Sequence, residues 1–487
     1  MTNELTKLSI QDSLDGLKNK KFSASELTKA YIKNIEDHRH LNCFITETFE
    51  HALNQAKIAD SNIAKNHMRD LEGIPLAIKD LFCTKNIRTT CASKMLENFI
   101  PPYESTVSQK LLDAGASCLG KTNMDEFAMG SANANSYFGK VINIYKKNNS
   151  PEDLVAGGSS GGSACAVAAN LCAGSTGSDT GGSIRQPAAF TNIVGVKPTY
   201  GRSSRYGMIA FASSLDQAGV FGKNVYDCAL LQRIISGYDN KDATSVNIAV
   251  PQFEKLLNSN IKGLKIGIPK EYRIEQMPSE IEELWQNGIK ILKNRGAEIV
   301  DISLPHTEYA AAVYYVLAPA ECSSNLARFD GVRYGFRTSQ QNISIQELYQ
   351  KSRAEGFGKE VKKRIMIGTY VLSAGYYDAY YKKAQKVRRL IYNDFAEAFK
   401  KVDAILTPST PNAAFGFDEM KNFDAIRIYL NDVFTVPANL AGLPAISVPA
   451  GFDKTNLPLG LQIISKHFDE QTLFNVAKAI EESNSKQ

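Results

Sequence analysis

No stretch of this 487-residue chain approaches the roughly 20 consecutive apolar residues that a membrane-spanning helix needs. The N-terminal residues, Met1-Thr-Asn-Glu-Leu-Thr-Lys7, lack the apolar core of a signal peptide and the arginine-rich pattern of a transit peptide. Both absences predict a cytoplasmic protein. The eight cysteines (43, 83, 91, 118, 165, 172, 228 and 322) include no Cys-x-x-Cys pair and no cluster with histidine. That spacing excludes a structural zinc site and predicts reduced core thiols.

An excess of one charge is lacking too. The formal net charge is only +5, with basic residues scattered among acidic ones, whereas a free-standing nucleic-acid binder concentrates its charge on one face. Lys382-Lys383 and Arg388-Arg389 lie on a helical pattern and read as a solvated face. Any RNA contact then depends on a different polypeptide. Linkers rich in proline, serine or charge are also missing. At 43% hydrophobic residues the chain can build a large core, so one α/β unit over residues 1–487 is expected. Its catalytic core is placed at about 70–220 and a helix-rich, tyrosine-rich cover at about 310–400.

Local patterns fill in that expectation. Ser23-Ala-Ser-Glu26 is a capping box, followed by Leu27, Tyr31, Ile32 and Ile35 at helical spacing. A second helix is predicted over His51–Lys65. Gly73-Ile-Pro-Leu-Ala-Ile-Lys79-Asp80 reads as a short, buried strand ending in two charges. Thr106–Ala114 follows as helix and Ser117–Lys121 as strand. Farther on, Leu264–Ile268 and Ala297–Asp301 read as strands flanking a helix over Glu280–Arg295, and Ala404–Pro408 and Pro444–Pro449 as further strands. The alternation predicts a wound sheet.

Two loops dense in glycine and serine interrupt the pattern: Gly157-Gly-Ser159-Ser-Gly-Gly-Ser163 and Gly177-Ser-Asp179-Thr180-Gly181-Gly182-Ser183-Ile-Arg185. The first opens a run of small residues that can pack as a helix and aim its free N-terminal amides at the loop. Consecutive amides at Thr180, Gly181, Gly182 and Ser183 can converge on one oxygen, as an oxyanion hole requires. Taken singly, such a loop is commonly a turn and a lysine ending a strand a solvated cap. Together they suggest hydrolysis, which also needs a nucleophile and a base. The six histidines (38, 40, 51, 67, 306 and 467) all lie outside both loops, which favours Lys79 as base. Lysine can serve only if burial lowers its pKa, and the apolar run Ile74–Ile78 makes that feasible. Gly157-x-Ser159-x-Gly161 also fits the G-x-S-x-G elbow of α/β-hydrolases, but that reading leaves Lys79 and the second loop unused. A phosphate-binding loop would need a Lys-Ser/Thr ending that is not there.

These residues, with Gly195-Val-Lys-Pro-Thr-Tyr-Gly201-Arg-Ser-Ser-Arg-Tyr-Gly207, Phe211-Ala-Ser-Ser-Leu-Asp216-Gln and Asn439-Leu-Ala-Gly-Leu-Pro444, resemble the amidase signature family. The resemblance implies a central mixed β-sheet covered by helices on both faces and a Ser–cis-Ser–Lys triad. Ser183 would be the acyl-forming nucleophile, Ser159 the bridging serine and Lys79 the base, with Asp179 and Arg185 bracing the loops. Further runs are similar to the glutamine-using branch that serves tRNA-dependent amidation: Lys121-Thr-Asn-Met-Asp-Glu-Phe-Ala-Met-Gly130, Ser323–Gly335, Glu355-Gly-Phe-Gly358, Arg364–Thr369 and Ser373–Arg388. That likeness implies a heterotrimer with B and C subunits. No cofactor would sit in this chain; ATP and Mg would be used by the partner that amidates Glu-tRNA(Gln) and, in some members, Asp-tRNA(Asn). It also implies that Arg364 takes the α-carboxylate of glutamine, that Asp432 takes its α-ammonium, and that Tyr315, Met129 and Gly130 line the pocket. Without the resemblance, Arg364 and Asp432 would read as surface ion-pairing residues. A free-standing amidase acting on another carboxamide is the alternative, and a non-catalytic subunit would not need the triad. One segment, Val141–Asp153, departs from the family pattern and predicts an altered surface loop.

Overall fold

Ser23 begins the helix Ala24–Asp37: its hydroxyl accepts from the Glu26 amide and the Glu26 carboxylate accepts from the Ser23 amide, a complete capping box. Leu27, Tyr31 and Ile35 of that helix are buried, and it packs on a second helix, Phe49–Ala64. The computed structural model describes residues 2–274, 277–423 and 430–484.

Eleven strands form one sheet among the described residues. In chain order they are β1 (Phe44–Glu47), β2 (Pro75–Lys79), β3 (Ser117–Thr122), β4 (Gly174–Asp179), β5 (Val194–Lys197), β6 (Gln217–Gly222), β7 (Lys265–Pro269), β8 (Glu298–Ile302), β9 (Ala404–Pro408), β10 (Ala445–Phe452) and β11 (Pro458–Ser465). Their order across the sheet is β1-β3-β2-β4-β6-β5-β10-β11-β9-β7-β8. β2 runs parallel to β3 and β4, β7 runs parallel to β8 and β9, and the strands between are antiparallel, so the sheet is mixed. Every residue of β2, β3, β4, β5, β6, β9 and β11 is buried. Since alternate side chains point to opposite faces, helices must cover both. Short apolar runs such as Pro75–Lys79 are thus strands without polar alternation.

Two expectations are corrected. Arg388 does not lie on a solvated face: it donates to the Leu440 carbonyl (2.8 Å), the Ser214 hydroxyl (2.7 Å) and the Ser214 carbonyl (2.9 Å), tying the helix Lys383–Ala398 to the sheet's loops. The segment 141–153 is exposed only in part. Asn143 is buried and its side-chain amide holds the carbonyls of Val155 and Phe190, both at 3.0 Å, which clamps the base of the loop. Lys79 and Asp80, at the end of the strand read as buried, are both fully buried, as the base role of Lys79 requires. All eight cysteines are buried and unpaired. Among the described residues no helix is long and apolar enough to cross a membrane, and no group of His, Cys, Asp or Glu is placed to hold a metal ion.

Candidate active site

β2 carries Lys79 into the interior at its C-terminal end, where β3 and β4 flank it. The first glycine-serine loop arrives from the side and turns at once into the helix Gly161–Ala168, all but one of whose residues are fully enclosed. That packing needs small side chains: a Cβ on Gly162 would press on the Asn123 backbone and, at 2.8 Å, on the Cys43 carbonyl. The Gly158–Ser159 peptide is cis. The loop is held by Gln186, which accepts from the Gly158 amide (2.9 Å) and donates to the Ser131 carbonyl (2.8 Å).

Three hydroxyls surround Lys79 Nζ: Ser159 Oγ at 2.9 Å, Ser160 Oγ at 2.7 Å and Ser178 Oγ at 2.8 Å. Burial pulls the lysine pKa down to about 7, against the attraction of Asp125 and Asp179. Near neutral pH a large share of Lys79 is therefore unprotonated. A neutral amine has two protons and one lone pair for these three neighbours, so one hydroxyl can donate to Nζ. The site can thus take a proton from a serine. Asp125, the largest of those attractions, is fully buried and its own pKa is raised to about 6 by burial, against the amides of Asn133 and Asn135.

The second loop leaves β4 and turns back on Asp179. Its carboxylate accepts from the amides of Ile184 (3.1 Å) and Arg185 (3.4 Å) and pairs with the Arg185 side chain at 2.9 and 3.1 Å. Burial raises the Asp179 pKa, but Arg185 outweighs it and leaves the group at about 2. Arg185 also reaches the Thr435 carbonyl (2.9 Å), Gln462 and Asn439, so the turn is anchored from the C-terminal end of the chain. Thr180 donates its hydroxyl to Asp216 at 2.7 Å. Among the described residues, no amide of Thr180, Gly181, Gly182 or Ser183 donates to another protein group. They remain available to an oxyanion.

Ser183 opens onto a cavity of about 150 Å³ lined also by Gly130, Ser131, Tyr314, Tyr315, Arg364 and Asp432. Lys79 and Ser159 do not line it, so the buried amine meets nothing in the cavity directly. Arg364 and Asp432 are only 5% and 8% exposed, which sets aside the surface reading for both. Arg364 Nε donates to Glu360 at 2.8 Å, one turn earlier on the helix Lys359–Val371. Asp432 Oδ1 is buried without a hydrogen-bond partner, and burial pushes the group up to about 8, with Asp179 adding to the shift and Arg364 opposing it. A carboxylate so placed is relieved by a cation entering the cavity.

Met129 departs from its expected place. Its apolar side chain is fully buried against Cys322 (Sγ–Sδ 3.8 Å), and Gly130 with Ser131 faces the cavity instead. Sequence reasoning missed Ser160 and Ser178 as neighbours of Lys79, although the serine density of both loops was the signal. Asp125 and Tyr314 had no local signal, because the chain contacts that place them are long-range.

The family model described as Amidase matches residues 26–474 of this chain. The chain is 61% identical over 479 residues to the glutamyl-tRNA(Gln) amidotransferase A subunit of Pelagibacter ubique, covering 98% of this chain and 97% of that protein. It is 58% identical over 479 residues to the protein of that name from Rickettsia bellii, with the same coverage. Among solved structures it is similar to the Thermotoga maritima protein of that name, at 40% identity and a TM-score of 0.79, covering 98% of this chain and 95% of that one. A peptide amidase from Stenotrophomonas maltophilia gives 28% identity, a TM-score of 0.80, and coverage of 98% and 97%. A mixed sheet with two serine-rich loops closing around a buried lysine, and a likeness that runs nearly end to end, place this chain in the amidase family.

Proposed function

We propose that this chain is the glutaminase subunit of a tRNA-dependent amidotransferase: it hydrolyses L-glutamine and passes the ammonia to partner subunits that convert Glu-tRNA(Gln) to Gln-tRNA(Gln). Residues 1–487 act as one unit in this reading. The observation that carries it is the presence of both Arg364 and Asp432 in the lining of the cavity onto which Ser183 opens. An amino acid presents one group of each charge, and these two side chains can hold both. The names of the relatives support the same substrate.

Ser183 Oγ attacks the glutamine side-chain carbonyl, and its proton passes to Ser159 as the Ser159 proton passes to Lys79. The oxyanion is held by the amides of the turn Thr180–Ser183. The proton returns to the leaving nitrogen, the C–N bond breaks, and ammonia departs from a glutamyl ester on Ser183. Water then attacks the ester, with Lys79 and Ser159 taking its proton and returning it to Ser183 Oγ as the ester bond breaks and glutamate leaves. Tyr315 and Gly130 shape the pocket wall. No step uses a metal or cofactor held by this chain; ATP and Mg serve the partner that activates the tRNA-bound carboxylate, in a heterotrimer with B and C subunits.

Glutamate release from glutamine by the purified complex tests the reading. Ser183→Ala is expected to lower it at least about 1,000-fold. Activity on another amide but none on glutamine would replace the reading with a free-standing amidase, and release that survives the substitution would exclude Ser183 as nucleophile.

A further inference from the structure

Two sequence runs, Lys121–Gly130 and Glu355–Gly358, meet at one buried carboxylate that the chemistry so far does not use. Glu126 is 3% exposed. Its Oε1 and Oε2 accept from the Gly358 amide at 3.1 and 2.9 Å, and Oε1 accepts from the Ser93 hydroxyl at 2.5 Å. Gly358 is the residue that caps the helix Lys359–Val371, the helix that bears Arg364. A carboxylate at a helix N-terminus satisfies an otherwise free amide and meets the positive end of the helix dipole.

The other side of Glu126 points to the reaction centre. The neighbouring Asp125 donates its amide to the Ser159 carbonyl at 3.1 Å. The next residue, Phe127, has a left-handed backbone (φ +49°) and packs its ring 5.1 Å from Phe329 and 5.6 Å from Phe357. Gly130, a few residues on, lines the cavity. Within six residues the same segment thus touches the loop of Ser159, forms part of the cavity wall and holds the start of the Arg364 helix. A shift of that helix by a fraction of its rise would move the guanidinium relative to Ser183.

We infer that Glu126 is a positioning residue for substrate recognition: by holding Gly358 it sets where Arg364 stands relative to Ser183, and so governs how tightly the α-carboxylate of glutamine is held. The inference rests on the glutaminase reading for the identity of the substrate. Burial keeps this carboxyl at a pKa of about 7, so its place at the helix end comes at a desolvation cost that simple helix stability, available from an exposed cap, does not require.

The test separates recognition from chemistry. Glutamine KM and kcat are measured on the full chain purified with its partners, beside the rate at which a small sulfonyl fluoride, which has no α-carboxylate, modifies Ser183. Glu126→Ala is expected to raise KM about tenfold to a hundredfold while sulfonylation stays within about twofold of the parent rate. Glu126→Gln, which keeps an acceptor for the Gly358 amide, should restore most of the KM. Gly358→Ala attacks the contact from the other side: its φ of −69° suits alanine, and the only close neighbour of the added Cβ is the Glu126 carboxylate. It should raise KM as Glu126→Ala does. An unchanged KM in both Glu126→Ala and Gly358→Ala, or a parallel loss of KM and sulfonylation in both, overturns the inference. Arg364→Ala is the control on the underlying reading. If it leaves glutamine KM unchanged, that reading fails; if it raises KM and the other two do not, only the role of Glu126 falls.

Discussion

At the scale of single residues, the proposed mechanism asks two buried groups with pKa values near neutrality to lose a proton before glutamine reacts. Lys79 is held at about 7 and Asp432 at about 8, each moved chiefly by burial, the first downward and the second upward. As pH falls, Lys79 gains a proton and stops accepting one from Ser159, while Asp432 loses the charge that attracts an α-ammonium. Both changes act in the same direction, so kcat/KM should rise with pH through the range 7 to 8 and level off above it. Asp432→Asn is expected to lower kcat/KM at least about thirtyfold. It should also move the remaining acid limb down toward the Lys79 value, which a pH–rate profile would read directly. The burial of Lys79 was legible because its strand was apolar, and its candidacy as base followed from the lack of a histidine near the loops. Asp432 stands apart from any such pattern, and only a likeness to other proteins pointed to it. Its burial depends on a helix and a turn far away in the chain.

At the scale of elements, strands and helices with a strong local pattern were readable and those dominated by glycine were not. The capping box at Ser23, the buried run Pro75–Lys79 and the helix Ser279–Asn294 each carry their signal in a few adjacent residues. β4 has the sequence Gly-Ser-Thr-Gly-Ser-Asp and β6 is Gln-Ala-Gly-Val-Phe-Gly, compositions that favour loops when read alone. They are strands because they pair with each other over six residues in the middle of the sheet, a tertiary effect. The turn that follows β4 depends on the Asp179–Arg185 pair, in which both side chains are fully buried. Asp179→Asn leaves Arg185 charged and without its partner, and should cost about 3–5 kcal/mol of stability, seen as a lower unfolding midpoint. The pH dependence has a definite sign. The folded pKa of about 2 lies below the usual carboxylate value, so the contribution is complete above that usual value and is lost as pH falls toward 2. In Asp179→Asn this acid-side loss should be smaller.

At the scale of the whole molecule, the sheet is assembled from distant parts of the chain. β10 and β11 are formed near the C-terminal end yet sit between β5 and β9, so the centre of the sheet is closed last in sequence. Alternation of helix and strand made a wound sheet legible, but that order was not, since no local pattern encodes which strands become neighbours. A chain ending after Leu430 keeps Lys79, Ser159 and Ser183 but loses β10, β11, Asp432 and three groups that anchor Arg185. It is expected to release no measurable glutamate from glutamine, whatever its yield in solution. The anchoring of the nucleophile's turn by Thr435, Asn439 and Gln462 thus has a consequence in time. On the proposed mechanism the three reacting side chains leave the ribosome early in synthesis and are expected to stay idle until residues 432–462 follow, so an unfinished copy should release no ammonia.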